Sequence, residues 1–328
     1  MIAALDRAAA AVLAHYPATC HGDLQPLGNG GGFSGARLWR VAGRCLRAWP
    51  LDDAFPVRLD YIHHLMTQAR DTGLAFVPRL ELTTEQTSRV EQRGRWWELT
   101  EWLTDRADYR ARPTRARLES ACAALARLHL VWGRGAVVSG LCPAVERRFV
   151  SLRKFRRQPS DDWNLLHMGS ETDPLRPLIA RAVTALGQRL ASIPIALMPW
   201  TEPNWPLQPC LCDVWHDHLL FEDDRLTGIV DYGSVKLDHV AVDLARMLGS
   251  LVEDDDDGWQ IGLTAYRAVR PLTAEEEELA RVLDRTGTVV GVANWLRWLY
   301  AEGRPFENRD GVAGRLGTLV TRIERWGV

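Results

Sequence analysis

The sequence predicts an α+β fold, in which a small antiparallel sheet with one helix precedes a larger, mainly helical part. Residues 37–41 alternate like a strand, and residues 44–49 and 95–100 are further predicted strands. Residues 57–72 instead repeat apolar side chains at helical spacing between these strands. Beyond residue 103 the helical spacing dominates, so we expect the chain to change character there.

Composition limits the classes of protein to which the chain can belong. Its 328 residues suffice for one large domain or two moderate lobes. A net charge of −2 favours neither nucleic acid nor an anionic membrane as partner. We find no apolar run near the roughly 20 residues of a spanning helix. The six cysteines contain no C-x-x-C pair, which predicts a reducing cytoplasm.

A glycine-rich turn at residues 27–36 precedes the predicted strand at residues 37–41. Without Cβ atoms, backbone N–H groups in such a turn can approach a phosphate closely. The candidate phosphate-binding residues are Gly30, Gly31, Gly32, Ser34 and Gly35. A hairpin turn that binds no ligand is the alternative interpretation.

Arg47, on the predicted strand at residues 44–49, is placed to neutralise a bound phosphate. A solvated strand residue is the alternative. On the helix at residues 57–72 we find no glutamate to pair with Arg47, and Asp60 is the nearest acid.

The stretch from Leu211 to Asp243 organises the second part of the chain. Two apolar runs, residues 219–221 and 226–230, flank a polar turn and therefore predict a β-hairpin. Asp213 and His218 precede the hairpin and Asp231 follows it. Carboxylates at the ends of a hairpin suit a metal and phosphate site, because hard cations prefer oxygen ligands.

Two charged segments have a simpler explanation than ligand binding. Residues 145–158 are basic, but few aromatic side chains interleave, so a solvated helix face is favoured over nucleic-acid binding. The acidic run Glu253–Asp257 is expected to be a solvated loop, with recognition of a cationic substrate as the alternative.

The motifs of this second part resemble those of the aminoglycoside phosphotransferase and choline kinase group, which carries H-G-D-x-x-x-x-N, an apolar hairpin, I-D-[FWY]-G and D-x-x-x-D-L-A. Asp213 matches the catalytic aspartate, and His218, five residues on, stands at the asparagine position. Asp231, eighteen residues after Asp213, matches the metal aspartate. The segments 229–233 and 238–245 match the last two motifs.

The resemblance implies a protein-kinase-like, two-lobed fold. Its expected parts are a nucleotide-binding lobe at 1–103 with a hinge at about 98–104, and a helical lobe at 104–328 with a catalytic loop at 211–221, a metal loop at 231–233 and a substrate region at 133–209.

The resemblance also implies ATP and Mg²⁺ as cofactors, with Mn²⁺ as an alternative metal. Asp213 would accept the proton of a substrate hydroxyl, and Asp231 with His218 would hold the metal. Arg47 would replace the usual strand lysine, and backbone groups near Thr100 and Leu103 would receive adenine. Asp243 would brace the catalytic loop. The expected partner is a small hydroxyl compound, with a cationic one as an option, and the protein would be a monomer or homodimer without nucleic acid or membrane.

Departures from the motifs define the alternative function. Leu211-Cys212 replaces His-Gly, His218 replaces asparagine and Arg47 replaces lysine. Imidazole is a poor ligand for Mg²⁺ and a better one for Mn²⁺. The alternative is therefore a weak or inactive kinase-fold protein that binds nucleotide or a partner.

Overall fold

The computed structural model describes residues 2–29, 35–50, 55–135, 138–157, 173–202, 204–306 and 308–326. Contacts between Cα atoms divide the chain into two compact units. Unit 1 comprises residues 1–134, 214–235 and 268–270, and unit 2 comprises residues 135–213, 236–267 and 271–328. The predicted lobe boundary at residue 103 stays a prediction.

Unit 1 is built on a five-stranded antiparallel sheet in the order β1-β2-β3-β5-β4. The strands are β1 (Gln25–Gly28), β2 (Arg37–Val41), β3 (Arg44–Pro50), β4 (Val90–Glu91) and β5 (Arg95–Glu101). The helices are α1 (Ile2–Leu13), α2 (Phe55–Asp71) and α3 (Arg115–Trp132), and a hairpin is formed by β8 (Leu219–Glu222) and β9 (Arg225–Ile229). The fold class predicted from strand and helix periodicity is confirmed.

Large apolar side chains of the sheet form the core of unit 1. Trp39 on β2 and Trp97 on β5 stack with ring centroids 5.3 Å apart. Leu46 and Leu99 are fully buried beside them, as are Val12 and its neighbours on α1. This packing holds β3 and β5 in a register that places Arg47 opposite Glu98.

Unit 2 contains a three-stranded sheet, in the order β10-β7-β6, and seven helices among the described residues. The strands are β6 (Val138–Gly140), β7 (Trp205–Cys210) and β10 (Lys236–Asp238). The helices are α4 (Pro143–Arg157), α5 (Arg176–Arg189), α6 (Ile193–Leu197), α7 (Ala241–Leu251), α8 (Asp256–Arg267), α9 (Ala274–Leu296) and α10 (Arg309–Arg325). No helix among the described residues combines the length and the apolar character needed to cross a membrane.

Helix α7 positions the loop before Asp213. Burial of the apolar side chains of α7 stabilises this helix. Leu244, Met247 and Leu248 are fully buried at helical spacing. Helix α9 packs beside α7 and begins with a capping box, in which Thr273 and Glu276 each bond the other's backbone N–H.

Candidate active site

The hairpin predicted between residues 219 and 230 is confirmed. Leu219 pairs with Ile229 and Glu222 with Arg225 in antiparallel register. Gly228 packs closely, because a Cβ atom there would lie 2.8 Å from Leu103 Cδ1 and 2.9 Å from Leu220 Cδ1, so both leucine side chains would have to shift. The Val230 N–H donates to the His218 carbonyl over 2.9 Å, which joins the two ends of the hairpin beside Asp231.

Asp231 has an unusual backbone conformation. Its φ of 65° and ψ of 70° lie in the left-handed region, which residues other than glycine rarely adopt. Gly233 follows two residues later, where a Cβ atom would lie only 2.4 Å from the Trp49 ring. The Trp49 ring therefore explains why position 233 is a glycine.

The structure brings Arg47 and Asp231 together within unit 1, although 184 residues separate them in sequence. Arg47 Nη1 lies 3.1 Å from Asp231 Oδ1, and the guanidinium lies over the Trp49 ring at 4.9 Å. Burial by itself would lower the pKa of Arg47, but the carboxylates of Asp231 and Glu98 raise it above its ordinary value. Arg47 is therefore a fixed cation beside a half-exposed carboxylate.

The acid that accompanies Arg47 is on a strand, whereas the sequence suggested Asp60 on the helix as the nearest candidate. Asp60 instead forms an ion pair with Arg89 at 2.6 Å. Glu98 of β5 lies 3.7 Å from Arg47 Nε, directly opposite it in the sheet. Sequence reasoning missed Glu98, although a lone charge between the buried Trp97 and Leu99 was a usable signal.

Glu98 accepts hydrogen bonds from a residue of α2 and from a residue of β3. His63 Nε2 of α2 lies 2.6 Å from Glu98 Oε2, and Trp49 Nε1 donates to Oε1 over 3.0 Å. Burial alone would raise the pKa of Glu98. The hydrogen bond and charge of His63, with smaller contributions from Arg47 and Trp49, hold that pKa below its ordinary value. Glu98 is therefore a buried anion that accepts a hydrogen bond at each carboxylate oxygen.

His218 lies near Asp231 but is already engaged. Its Nε2 accepts a hydrogen bond from the Trp215 indole N–H over 2.9 Å and lies 3.7 Å from Asp231 Oδ2. An indole nitrogen can only donate, so Nε2 carries a lone pair in this arrangement. Ligation of a metal through Nε2 would require the Trp215 hydrogen bond to break, and this role of His218 stays a prediction.

Asp213 follows a loop of unit 2 that is held by Asp243. The N–H groups of Leu211 and Cys212 donate to the two Asp243 carboxylate oxygens over 2.7 and 2.6 Å. The bracing role expected of Asp243 is thus visible in the geometry. Cys212 adopts a φ of 61°, which is the conformation that the glycine of the motif would allow without strain. The departure at Cys212 therefore changes the side chain while keeping the left-handed turn.

Arg246 is a second residue that sequence reasoning missed. Its Nη2 lies 3.0 Å from Asp213 Oδ1, and both side chains are roughly half exposed. The signal was present in the helical spacing, because Arg246 lies three residues after Asp243 and therefore on the same face of α7.

The structure says less about the remaining candidate residues. Gly30, Gly31, Gly32 and Ser34 lie outside the described residues. Gly35 has a φ of 75° and precedes β2. Thr100 pairs with Cys45 in β3 and bridges to Leu80, while Leu103 follows β5. The roles proposed for these residues stay predictions.

Arginine side chains of unit 2 engage the acidic run at 253–257. Asp254 pairs with Arg322 at 2.9 Å, and Asp256 with Arg281 at 2.9 Å. Asp256 and Asp257 begin α8 and so lie outside the expected loop, and recognition of a cationic substrate by this run stays a prediction.

The chain is similar in sequence to a known protein family and to known relatives. A sequence model of the phosphotransferase enzyme family matches residues 27–280. A homoserine kinase of Acidiphilium cryptum is 31% identical over 131 residues, which are 38% of this chain and 39% of that protein. The chain thus spans about two fifths of the length of this curated relative.

Solved structures show the same fold at low identity. A spectinomycin phosphotransferase, solved with ADP and spectinomycin, has a TM-score of 0.70 at 12% identity, and the match covers 96% of each chain. A choline/ethanolamine kinase family protein from Mesorhizobium loti has a TM-score of 0.56 at 17% identity, covering 98% of this chain and 95% of its own. Because the family match spans most of its length, the chain belongs to the phosphotransferase enzyme family.

Proposed function

We propose that the protein transfers the γ-phosphate of ATP to a hydroxyl group of a small molecule. The observation that carries the proposal is the 3.1 Å pair of Arg47 and Asp231. Phosphoryl transfer depends mainly on positioning and on neutralising the phosphate charge. A rigid cation next to a half-exposed carboxylate suits that task, and the family match supports it.

The Asp231 carboxylate fits a divalent cation. The Asp231 side chain is 42% exposed and offers hard oxygen ligands, which fit Mg²⁺ or Mn²⁺. When bound, the cation would neutralise charge on the transferred phosphate. The Nε2 lone pair of His218 would fit Mn²⁺ better than Mg²⁺, provided that Trp215 releases it.

The residues of the chain have distinct proposed tasks. Asp213 accepts or orients the proton of the substrate hydroxyl, and Asp243 keeps its loop in place through two backbone hydrogen bonds. Arg47 binds phosphate oxygens. Arg246 forms an ion pair with Asp213 at 3.0 Å and so holds the carboxylate in place.

Homoserine is the first substrate to test, because the relative from Acidiphilium cryptum is a homoserine kinase. The relatives match only part of their own length, so related hydroxy amino acids, amino alcohols, sugars and aminoglycosides belong in the same panel.

The test is a phosphotransfer assay of purified protein with ATP in Mg²⁺ and in Mn²⁺ across this panel. We expect turnover for one compound class and a decrease of about 10²–10⁴-fold in Asp213→Ala. Asp217→Ala is the matched control, since Asp217 is an exposed acid of the same stretch. Negligible turnover in wild type and both variants would contradict the kinase function. A thermal shift with ATP would then distinguish a nucleotide-binding protein from one that binds none.

A further inference from the structure

His63 on α2 contacts Glu98, and none of the sequence motifs includes His63. Its ring is 2% exposed and lies between two partners, with Nε2 2.6 Å from Glu98 Oε2 and Nδ1 2.8 Å from Ser88 Oγ. A carboxylate can only accept a hydrogen bond, so Nε2 carries a proton and donates it to Glu98. His63 is therefore held in one orientation from both sides.

Glu98 transmits this orientation to Arg47. One carboxylate oxygen is occupied by His63, and the other accepts the Trp49 indole N–H over 3.0 Å and faces Arg47 Nε at 3.7 Å. Trp49 and Arg47 lie two residues apart on β3, so their side chains project from the same face of the sheet. Helix and sheet thus meet at a single carboxylate that determines where the guanidinium can lie.

Arg47 itself divides its contacts between two acids of unequal exposure. The Glu98 side chain is 8% exposed and accepts a hydrogen bond at each oxygen, whereas the Asp231 side chain is 42% exposed. A ligand phosphate can compete for the guanidinium at its Asp231 end more easily than at its Glu98 end. Glu98 then holds the Nε side of the Arg47 guanidinium in place. Nη1, which contacts Asp231, can exchange that partner for a phosphate.

We propose that His63 is a positioning residue for nucleotide phosphates, acting through Glu98 on Arg47. Helix α2 thereby contributes a hydrogen-bond donor to the cation site, and the acid comes from β5. The inference rests on the proposed function, because it assumes that Arg47 binds the phosphates of a nucleotide. It adds a residue and a route of contact that the proposed function does not include.

Two variants of His63 separate positioning from packing. His63→Gln can place its amide N–H near the position of Nε2 and so retain a donor to Glu98. His63→Asn reaches only the position of Nδ1, which keeps a polar group near Ser88 but removes the donor to Glu98. His64→Asn is the matched control, since His64 is an exposed neighbour on the same helix.

The experiment measures binding of ADP and of adenosine to the full chain by calorimetry in EDTA, so that neither metal nor turnover enters the result. We expect His63→Asn to weaken ADP binding about tenfold, as for the loss of one hydrogen bond to a charged group. Adenosine binding should not change, because adenosine carries no phosphate. His63→Gln should recover most of the ADP affinity, and His64→Asn should resemble wild type.

The possible failures are distinguishable. Wild-type protein that binds no ADP would contradict the proposed function. Wild-type protein that binds ADP, with equal losses in His63→Asn and His63→Gln, would overturn the positioning role alone. An equal loss of adenosine and ADP affinity in His63→Asn would also overturn it, since that result indicates a general structural defect.

Discussion

Arg47 in unit 1 and Arg322 in unit 2 are both held by two acidic side chains, but their surroundings differ. Arg322 is 4% exposed and makes two-pronged contacts with Asp254, at 2.9 and 3.2 Å, and with Asp284, at 2.6 and 3.3 Å. It also donates to the Gly249 carbonyl and the Thr288 hydroxyl. Arg47 has one contact at 3.1 Å and one at 3.7 Å, and its nearer partner is half exposed.

The difference separates a structural arginine from a candidate ligand-binding one. Every guanidinium nitrogen of Arg322 has a protein acceptor, so Arg322 stabilises helices α7, α9 and α10 and has no capacity left for a ligand. Burial would lower the pKa of Arg322, but its hydrogen bonds and the charges of Asp254 and Asp284 raise it above the ordinary value. Arg47 keeps a partner that a phosphate can replace.

Removing Arg322 should have the largest effect on stability. Arg322→Met leaves the carboxylates of Asp254 and Asp284 without their cation, which costs about 3–5 kcal/mol for a buried pair. Urea unfolding followed by circular dichroism measures the loss. Arg325→Met is the control on the same helix. Arg325 is 63% exposed and 3.7 Å from Glu253, so its loss should cost no more than about 1 kcal/mol. Equal stability of Arg322→Met and wild type would contradict the structural assignment.

Removing Arg47 should affect stability less and nucleotide binding more. Glu98 keeps its donors His63 and Trp49 in Arg47→Met, so we expect a loss of about 1–3 kcal/mol in the free energy of unfolding. ADP affinity should fall at least tenfold, because a phosphate loses its cation. Arg44→Met is a matched control on β3, since Arg44 pairs with Glu81 at 2.9 Å. If both variants lowered ADP affinity equally, the assignment of Arg47 would be wrong.

The smallest effect that we predict is a dependence of stability on acid pH. The folded pKa of Glu98 lies below its ordinary value of 4.5, so the ionised carboxylate stabilises the fold. This contribution is complete above pH 4.5 and is lost as the pH falls through the lower, folded pKa. Urea midpoints measured between neutral and acid pH should decrease in that window. Glu98→Gln should flatten the curve there, and an unchanged slope would exclude Glu98 as its source.

Local patterns along the chain predicted much of the fold. The hairpin from Leu219 to Ile229 followed from two apolar runs and a polar turn, and it is present with the expected ends. The strand expected at residues 95–100 was found as β5. The spacing of Asp213, Asp231 and Asp243 indicated a family that the comparison confirmed. These features depend on neighbours within a few residues or on motif spacing, so the sequence contains them directly.

The partners of the candidate site could not be predicted in this way. Glu98 faces Arg47 because β3 and β5 pair in a particular register, and His63 reaches Glu98 because α2 packs on that sheet face. Arg246 contacts Asp213 because Asp243 pins the preceding loop to α7. Each contact depends on how whole elements pack.

The sequence by itself therefore determined the fold class, the hairpin and the three spaced aspartates, because period and spacing are properties of the chain alone. Only the tertiary structure decided which acid stabilises Arg47 and which donor holds that acid. Those contacts join residues far apart in sequence, and their energy depends on burial and register that arise only when the elements pack.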